Sequence, residues 1–247
     1  GEKASATRFD VSDPRQPAAI AAPLAENHTI SAVHLATGLI ATAYSRNSLT
    51  TPGPALSLWH TTKDGVTEKW SLPAQEGNDN TMHLAFDESG ARLLRTTPSP
   101  RSHLIIHDAR TGAVLNDFQH DAYKAIFAGT RGHIIVISSE LQPDNTQKGN
   151  IAIIDSQDGH ILASLDHDSA LYALTASPDR RLLATGSADH SLKLWRYADA
   201  TLLQSFTALE GLPRSITFSP NGQLLATDGR DRALRMFEIN VMSPHKP

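Results

Sequence analysis

Apolar residues recur along this chain in short alternating runs, not at helical spacing. The clearest run is Leu192–Lys193–Leu194–Trp195, and its counterparts are Leu56–Ser57–Leu58–Trp59, Leu104–Ile105–Ile106–His107, Ile151–Ala152–Ile153–Ile154 and Leu234–Arg235–Met236–Phe237. The runs end at positions 59, 107, 154, 195 and 237, so the spacings are 48, 47, 41 and 42 residues. Thr7–Arg8–Phe9 fits one step earlier. The last two units also repeat in letters. Leu182 to Trp195 reads LLATGSADHSLKLW and Leu224 to Phe237 reads LLATDGRDRALRMF, six of fourteen positions being identical.

Within one unit, alternation and turn residues predict four short strands, a to d. In the fourth full repeat they span about 169–176, 180–187, 191–197 and 200–206. Ser177–Pro178–Asp179 turns a into b, Ala188–Asp189–His190 turns b into c, and Tyr197–Ala198–Asp199 turns c into d. The c–d turn recurs as Asp108–Ala109–Arg110–Thr111–Gly112 and as Asp155–Ser156–Gln157–Asp158–Gly159. Asp and Gly suit such turns because both tolerate the backbone angles required. A four-stranded antiparallel unit cannot bury both its faces alone, and stacking such units around an axis buries them. A period of ~40–45 residues therefore points to an all-β fold, a β-propeller of four-stranded antiparallel blades. About five full repeats follow an N-terminal half blade.

The repeats fall at approximately 1–26 (partial), 27–77, 78–120, 121–166, 167–208 and 209–240, with no linker, so one domain is expected over 1–247. Thr7 to Val11 reads as a c strand and Ala18 to Ala22 as a d strand, while the last repeat ends after c. Two closures stay open. The N-terminal d strand completes a five-bladed ring, or the chain is the C-terminal part of a larger ring or protein. The duplicated c strand favours the second.

Composition narrows the function classes. With 247 residues, 40% of them apolar, the chain is long enough for a substantial core. The formal charge of −4 comes from 22 basic and 26 acidic residues without a basic block, so no nucleic-acid partner is expected. There is no cysteine, which excludes disulfides and thiolate metal sites. No apolar run is long enough to span a bilayer as a helix, so no membrane insertion is expected. No signal peptide is visible, although the chain opens with Gly1, and a cytoplasmic location is the expectation. The turn-rich composition of Ala, Arg and His suggests a bacterial source.

Residues 167–239 resemble WD-repeat propeller blades. That family places a His before strand a, a Ser or Thr in b, an Asp in the b–c turn and a Trp in c. In the fourth repeat these are His167, Thr185 or Ser187, Asp189 and Trp195. In the fifth, Asp231 is kept, Phe237 replaces Trp and Leu209 stands where His belongs. The first three repeats keep the period but little of this pattern. The resemblance implies that these side chains form a structural hydrogen-bonded network, as buried polar groups must find partners.

Catalytic and metal chemistry find no foothold. The phosphate cradle, the nucleophile elbow and the HExxH zinc pattern are absent. The nominal carboxylate pairs Asp166 with Asp168 and Asp228 with Asp231 lie at blade turns, where Asp is a turn former. His103 and His107 share a strand face but stand about 13 Å apart along it, too far for one ion. Arg180–Arg181, an adjacent basic pair, falls at an a–b turn as a solvated pair. No cofactor is expected, and the chain reads as a non-enzyme.

What remains is shape. The b–c connections of the first three repeats read as long loops, about Ser45–Pro54, Thr96–Ser102 and Ser139–Asn150, while those of the last two are tight. Insertions confined to one rim mark a binding face. The exposed candidates are Arg46, Asn47, Arg101, Leu141, Asp144 and Lys148. Leu141 stands out, because an apolar residue amid polar ones can anchor an interface. The favoured expectation is a non-catalytic scaffold holding protein partners through this rim, with self-association or a second chain if the ring is incomplete. The alternatives are a regulatory or targeting module of a larger enzyme or signalling protein, and a small-molecule or enzymatic site in the central channel.

Overall fold

A computed structural model describes residues 5–10, 18–23, 28–44, 54–62, 65–73, 81–97, 102–128, 132–207, 209–229 and 231–239. Among them there is no α-helix, only a single 3₁₀ turn at Leu35–Thr37. No helix is long and apolar enough to cross a membrane. The chain divides into two compact units, Gly1–Ala122 and Tyr123–Pro247.

The first unit opens with a two-stranded sheet of β1 (Ser5–Asp10) and β2 (Ala18–Pro23), the c and d strands read from the sequence. Blade 1 follows as β3 (His28–His34), β4 (Leu39–Tyr44), β5 (Pro54–Thr62) and β6 (Gly65–Pro73). Blade 2 is β7 (His83–Phe86), β8 (Arg92–Thr96), β9 (His103–Asp108) and β10 (Val114–Gln119). The innermost strands β3 and β7 lie side by side, and Leu56, Leu58, Leu84 and Leu93 form a buried core between the two sheets.

The second unit holds blade 3, of β11 (Lys124–Ala128), β12 (His133–Leu141), β13 (Gln147–Asp155) and β14 (Ile161–His167). Blade 4 is β15 (Leu171–Ala176), β16 (Leu182–Ser187), β17 (Leu192–Arg196) and β18 (Leu202–Phe206). Among the described residues blade 5 has three strands, β19 (Pro213–Phe218), β20 (Leu224–Gly229) and β21 (Leu234–Glu238). Strand β15 lies beside both β11 and β19. Ile135, Ile151, Leu171, Leu183 and Trp195 fill the core between blades 3 and 4, and Leu192, Leu194, Ile216 and Leu225 that between blades 4 and 5. Neighbouring strands in every sheet pair antiparallel. These four-stranded antiparallel sheets are the blades from which a β-propeller is built.

The turns are built as their residues dictate. In blade 4 the Ser177 hydroxyl donates to Asp179 Oδ1 at 2.6 Å and accepts from the Leu182 amide at 2.9 Å. Blade 5 repeats the device with Ser219, Asn221 and Leu224. Each a–b turn carries one residue of left-handed backbone: Gly38, Gly90, Gly132, Arg180 and Gly222. Four are glycine, which adopts that conformation without a Cβ clash. Arg180, at φ 58°, adopts it against its preference.

Candidate interaction surface

Blade 4 brings its polar residues together around Trp195. Strand register sets Leu183 opposite Trp195 and Thr185 opposite Lys193. The buried Trp195 Nε1–H therefore reaches Thr185 Oγ1 and donates at 3.0 Å. Of the two candidates in strand b, Thr185 is the acceptor. The Ser187 hydroxyl instead faces the Asp189 amide at 3.5 Å. Asp189 Oδ1 accepts from the Ser191 amide at 2.9 Å. Burial pushes the Asp189 carboxyl up, but Ser191 and Ser187 hydrogen bonds and the His167 imidazole outweigh it and hold it below the usual range.

His167 ends β14, fully buried, with its ring 6.4 Å from that of Trp195 in an edge-on arrangement. Neither ring nitrogen meets a hydrogen-bond acceptor or donor among the described residues. Burial, reinforced by the Lys193 charge, pushes its pKa down, so it sits neutral at neutral pH. In blade 5, Leu209 takes the place of His and joins the apolar core, while Asp231 pairs with Arg235. Asp231 also packs against Gly211 and Gly229 so closely that no Cβ fits at either.

The Thr–Trp pair also occurs in blade 1. Trp59 Nε1–H donates to Thr42 Oγ1 at 2.9 Å, and both residues are buried. Its signal was in the sequence: Leu39–Ile40–Ala41–Thr42 matches Leu182–Leu183–Ala184–Thr185, and LSLW matches LKLW. The longer b–c connection, which separates the partners by 17 residues instead of 10, hid it. By register the same two positions hold Arg95 and His107 in blade 2, Val136 and Ile154 in blade 3, and Thr227 and Phe237 in blade 5. In blade 3 both members are apolar, which leaves no buried donor unpaired. In blade 5 the ring has no donor, and Thr227 Oγ1–H turns to the Ser215 carbonyl at 2.8 Å. His107 Nδ1 meets the Gly112 carbonyl at 3.1 Å, and His103 Nδ1 meets Asp117 at 2.6 Å.

The b–c rim differs from its sequence reading in blade 3. Ser139–Asn150 is not a loop but the end of a β-hairpin, with Ser139 opposite Gly149, Glu140 opposite Lys148 and Leu141 opposite Gln147. The turn itself is Gln142 to Thr146, closed by the Gln142 amide on the Thr146 carbonyl. Asn145 supplies its left-handed residue. The buried apolar run Ile134–Ile135–Val136–Ile137 continues without a break into polar residues, so strand pairing carries on past the point where apolar letters stop. Leu141 stands 64% exposed at the end of β12. The Asp144 carboxylate accepts from the Thr146 amide and hydroxyl, which hold its pKa down, and so shapes the turn. Lys148 flanks it on β13. Arg46, Asn47 and Arg101 lie outside the described residues, as does most of the connection after β4.

The WD domain, G-beta repeat family model matches residues 159–196 and 201–238. WD repeat-containing protein 3 of Homo sapiens is 40% identical over 53 residues, 21% of this chain and 6% of that protein. Its Mus musculus counterpart is 38% identical over 53 residues, with the same shares of 21% and 6%. The matched segment is thus a small part of these curated relatives, and both being mammalian they lend a bacterial source no support. Each family match runs from the end of one blade through the next: the first spans β14 to β17 and the second β18 to β21. The Trp195–Thr185 bond lies within the first matched segment and the second has the same strand order, so residues 159–238 resemble two tandem WD repeats.

Proposed function

We propose that this chain is a non-catalytic scaffold that holds protein partners through the rim carrying the b–c connections. WD repeats serve in general as protein-interaction scaffolds. The observation that carries the rim assignment is the blade 3 hairpin. Strands β12 and β13 are nine residues each, against six and five for β16 and β17 of blade 4. The extra length raises an exposed leucine on a rigid, fully paired element. Ordering such an anchor costs little entropy on binding, because the hairpin is already formed. On this reading His167, Thr185, Ser187, Asp189, Trp195 and Asp231 are structural residues of blades 4 and 5, not a site. A cytoplasmic setting belongs to the same reading.

The test replaces Arg46, Arg101 and Leu141 together by aspartate in the full chain and compares captured partners by quantitative mass spectrometry. Loss of specific partners is expected. Retention of every partner at wild-type yield sinks the rim assignment.

A further inference from the structure

The outer strands β6, β10, β14 and β18 share one irregularity. Each skips a residue in its register with the third strand of its blade, at Lys69, Leu115, Leu162 and Leu203. The next residues, Trp70, Asn116, Ala163 and Gln204, face Leu58, Ile106, Ile153 and Leu194. These four positions are therefore equivalent.

In blade 1 this position closes the junction to blade 2. The Trp70 indole lies against the β9–β10 turn, where a Cβ built on Gly112 would stand 3.0 Å from the ring. Its Nε1–H donates to the Ala109 carbonyl at 3.0 Å. The matching turn of blade 4, between β17 and β18, places Tyr197 where blade 2 has Ala109 and Ala200 where it has Gly112. The backbone is the same, left-handed at both Gly112 (φ 77°) and Ala200 (φ 57°).

Across that turn, however, Ala163 stands in place of the tryptophan. The junction of blades 3 and 4 accordingly holds an open cleft of about 620 Å³, within the ~300–1,000 Å³ range of ligand pockets. Ile153, Leu162, Ala163 and Tyr197 give it an apolar floor. The Tyr197 ring is fixed there by the 2.6 Å contact of its hydroxyl with His133 Nδ1. Asp179, Arg180 and Asp199 stand at its edge, Asp179 paired with Arg181 and Asp199 with Arg196.

We propose that this cleft receives a tryptophan side chain of a partner polypeptide, seated as Trp70 is seated between blades 1 and 2. The molecule supplies its own template for the ring, the turn beneath it and a main-chain acceptor for the indole N–H. The cleft lies at the a–b and c–d turn ends of the strands, opposite the b–c connections, so it stands apart from the rim assignment above. One detail differs from the template. Ala200 carries the Cβ that Gly112 lacks, which lifts a bound ring outward by a few tenths of an ångström.

The experiment is fluorine NMR of a short capped peptide containing fluorotryptophan, titrated with the full chain. Saturable line broadening with a Kd of about 1 mM or tighter is expected. Ala163→Trp, which fills the cleft from within, should weaken binding roughly tenfold or more. Ala200→Gly should tighten it severalfold. The proposal is overturned by an absence of saturation, by unchanged binding to Ala163→Trp, or by equal competition from a leucine peptide. Should Ala163→Trp fail to fold, Leu162→Glu at the half-exposed skipped position carries the same test.

Discussion

The junctions of blades 1 with 2 and of blades 3 with 4 have one backbone design and opposite outcomes. Both set the residue after a skipped one in an outer strand against a left-handed c–d turn of the next blade. Trp70 turns the first into packed core, whereas Ala163 leaves the second open. The same register position thus holds packed core in one junction and borders an open cleft in the other. The two Thr–Trp bonds teach the complementary lesson: Thr42 with Trp59 and Thr185 with Trp195 survive unchanged although their connecting segments differ in length.

The largest effect is expected from making the first junction like the second. Trp70→Ala should destabilise the first unit by about 3 kcal/mol, the cost of a large cavity plus a lost hydrogen bond. Urea melts followed by circular dichroism would measure it. A cost below about 1 kcal/mol would show that the indole is surface decoration. The next test sets blade 1 against blade 4. Thr42→Val and Thr185→Val each strand a buried indole N–H and should each cost about 1–3 kcal/mol. Unequal losses would show that the family-like blade depends on the pair more than the degenerate one.

Closing the open junction is the converse change. Ala163→Trp combined with Ala200→Gly brings the second junction closer to the first, with Tyr197 kept where blade 2 has Ala109, and should raise stability by about 1 kcal/mol, as cavity filling commonly does. Smaller still is Arg180→Gly, which brings the blade 4 a–b turn into line with the glycines of the other blades. Relief of the left-handed strain exceeds the entropy of a freer unfolded chain, for a net gain near 0.5 kcal/mol. A thermal scan of the variant beside wild type resolves its sign.

The two units also share a buried neutral histidine. Burial holds the His107 and His167 imidazoles below their ordinary pKa. The unfolded chain takes up protons near its ordinary value of about 6.5, whereas the folded chain resists them. Stability is therefore full above that pH and falls as the pH drops below it toward the folded value. Urea midpoints at about pH 7.5 and 5.5 should differ in that direction. His167→Phe should flatten the slope in the second unit, while a slope unchanged by both His107→Phe and His167→Phe would mean that other groups carry it.

Much of the fold was legible because strand alternation and turn chemistry are local. The fourth repeat's strands, read as 169–176, 180–187, 191–197 and 200–206, lie at 171–176, 182–187, 192–196 and 202–206. The site was less so. Ser139–Asn150 read as a loop because its letters turn polar, yet those residues go on pairing across the sheet. Backbone pairing needs no apolar side chain once a hairpin has started.

By itself the sequence determined the period, the four-strand unit, the turn positions and the two WD-like repeats, since each rests on spacings of a few residues. The tertiary structure alone decided which side chains meet. Thr42 reaches Trp59 through a register that a connection of any length can preserve. Ala163, next to the skipped Leu162 in β14, lines one cleft with the Tyr197–Ala200 turn of the neighbouring blade. Alternation says which face of a strand a residue occupies, and packing between blades says what that face finds there.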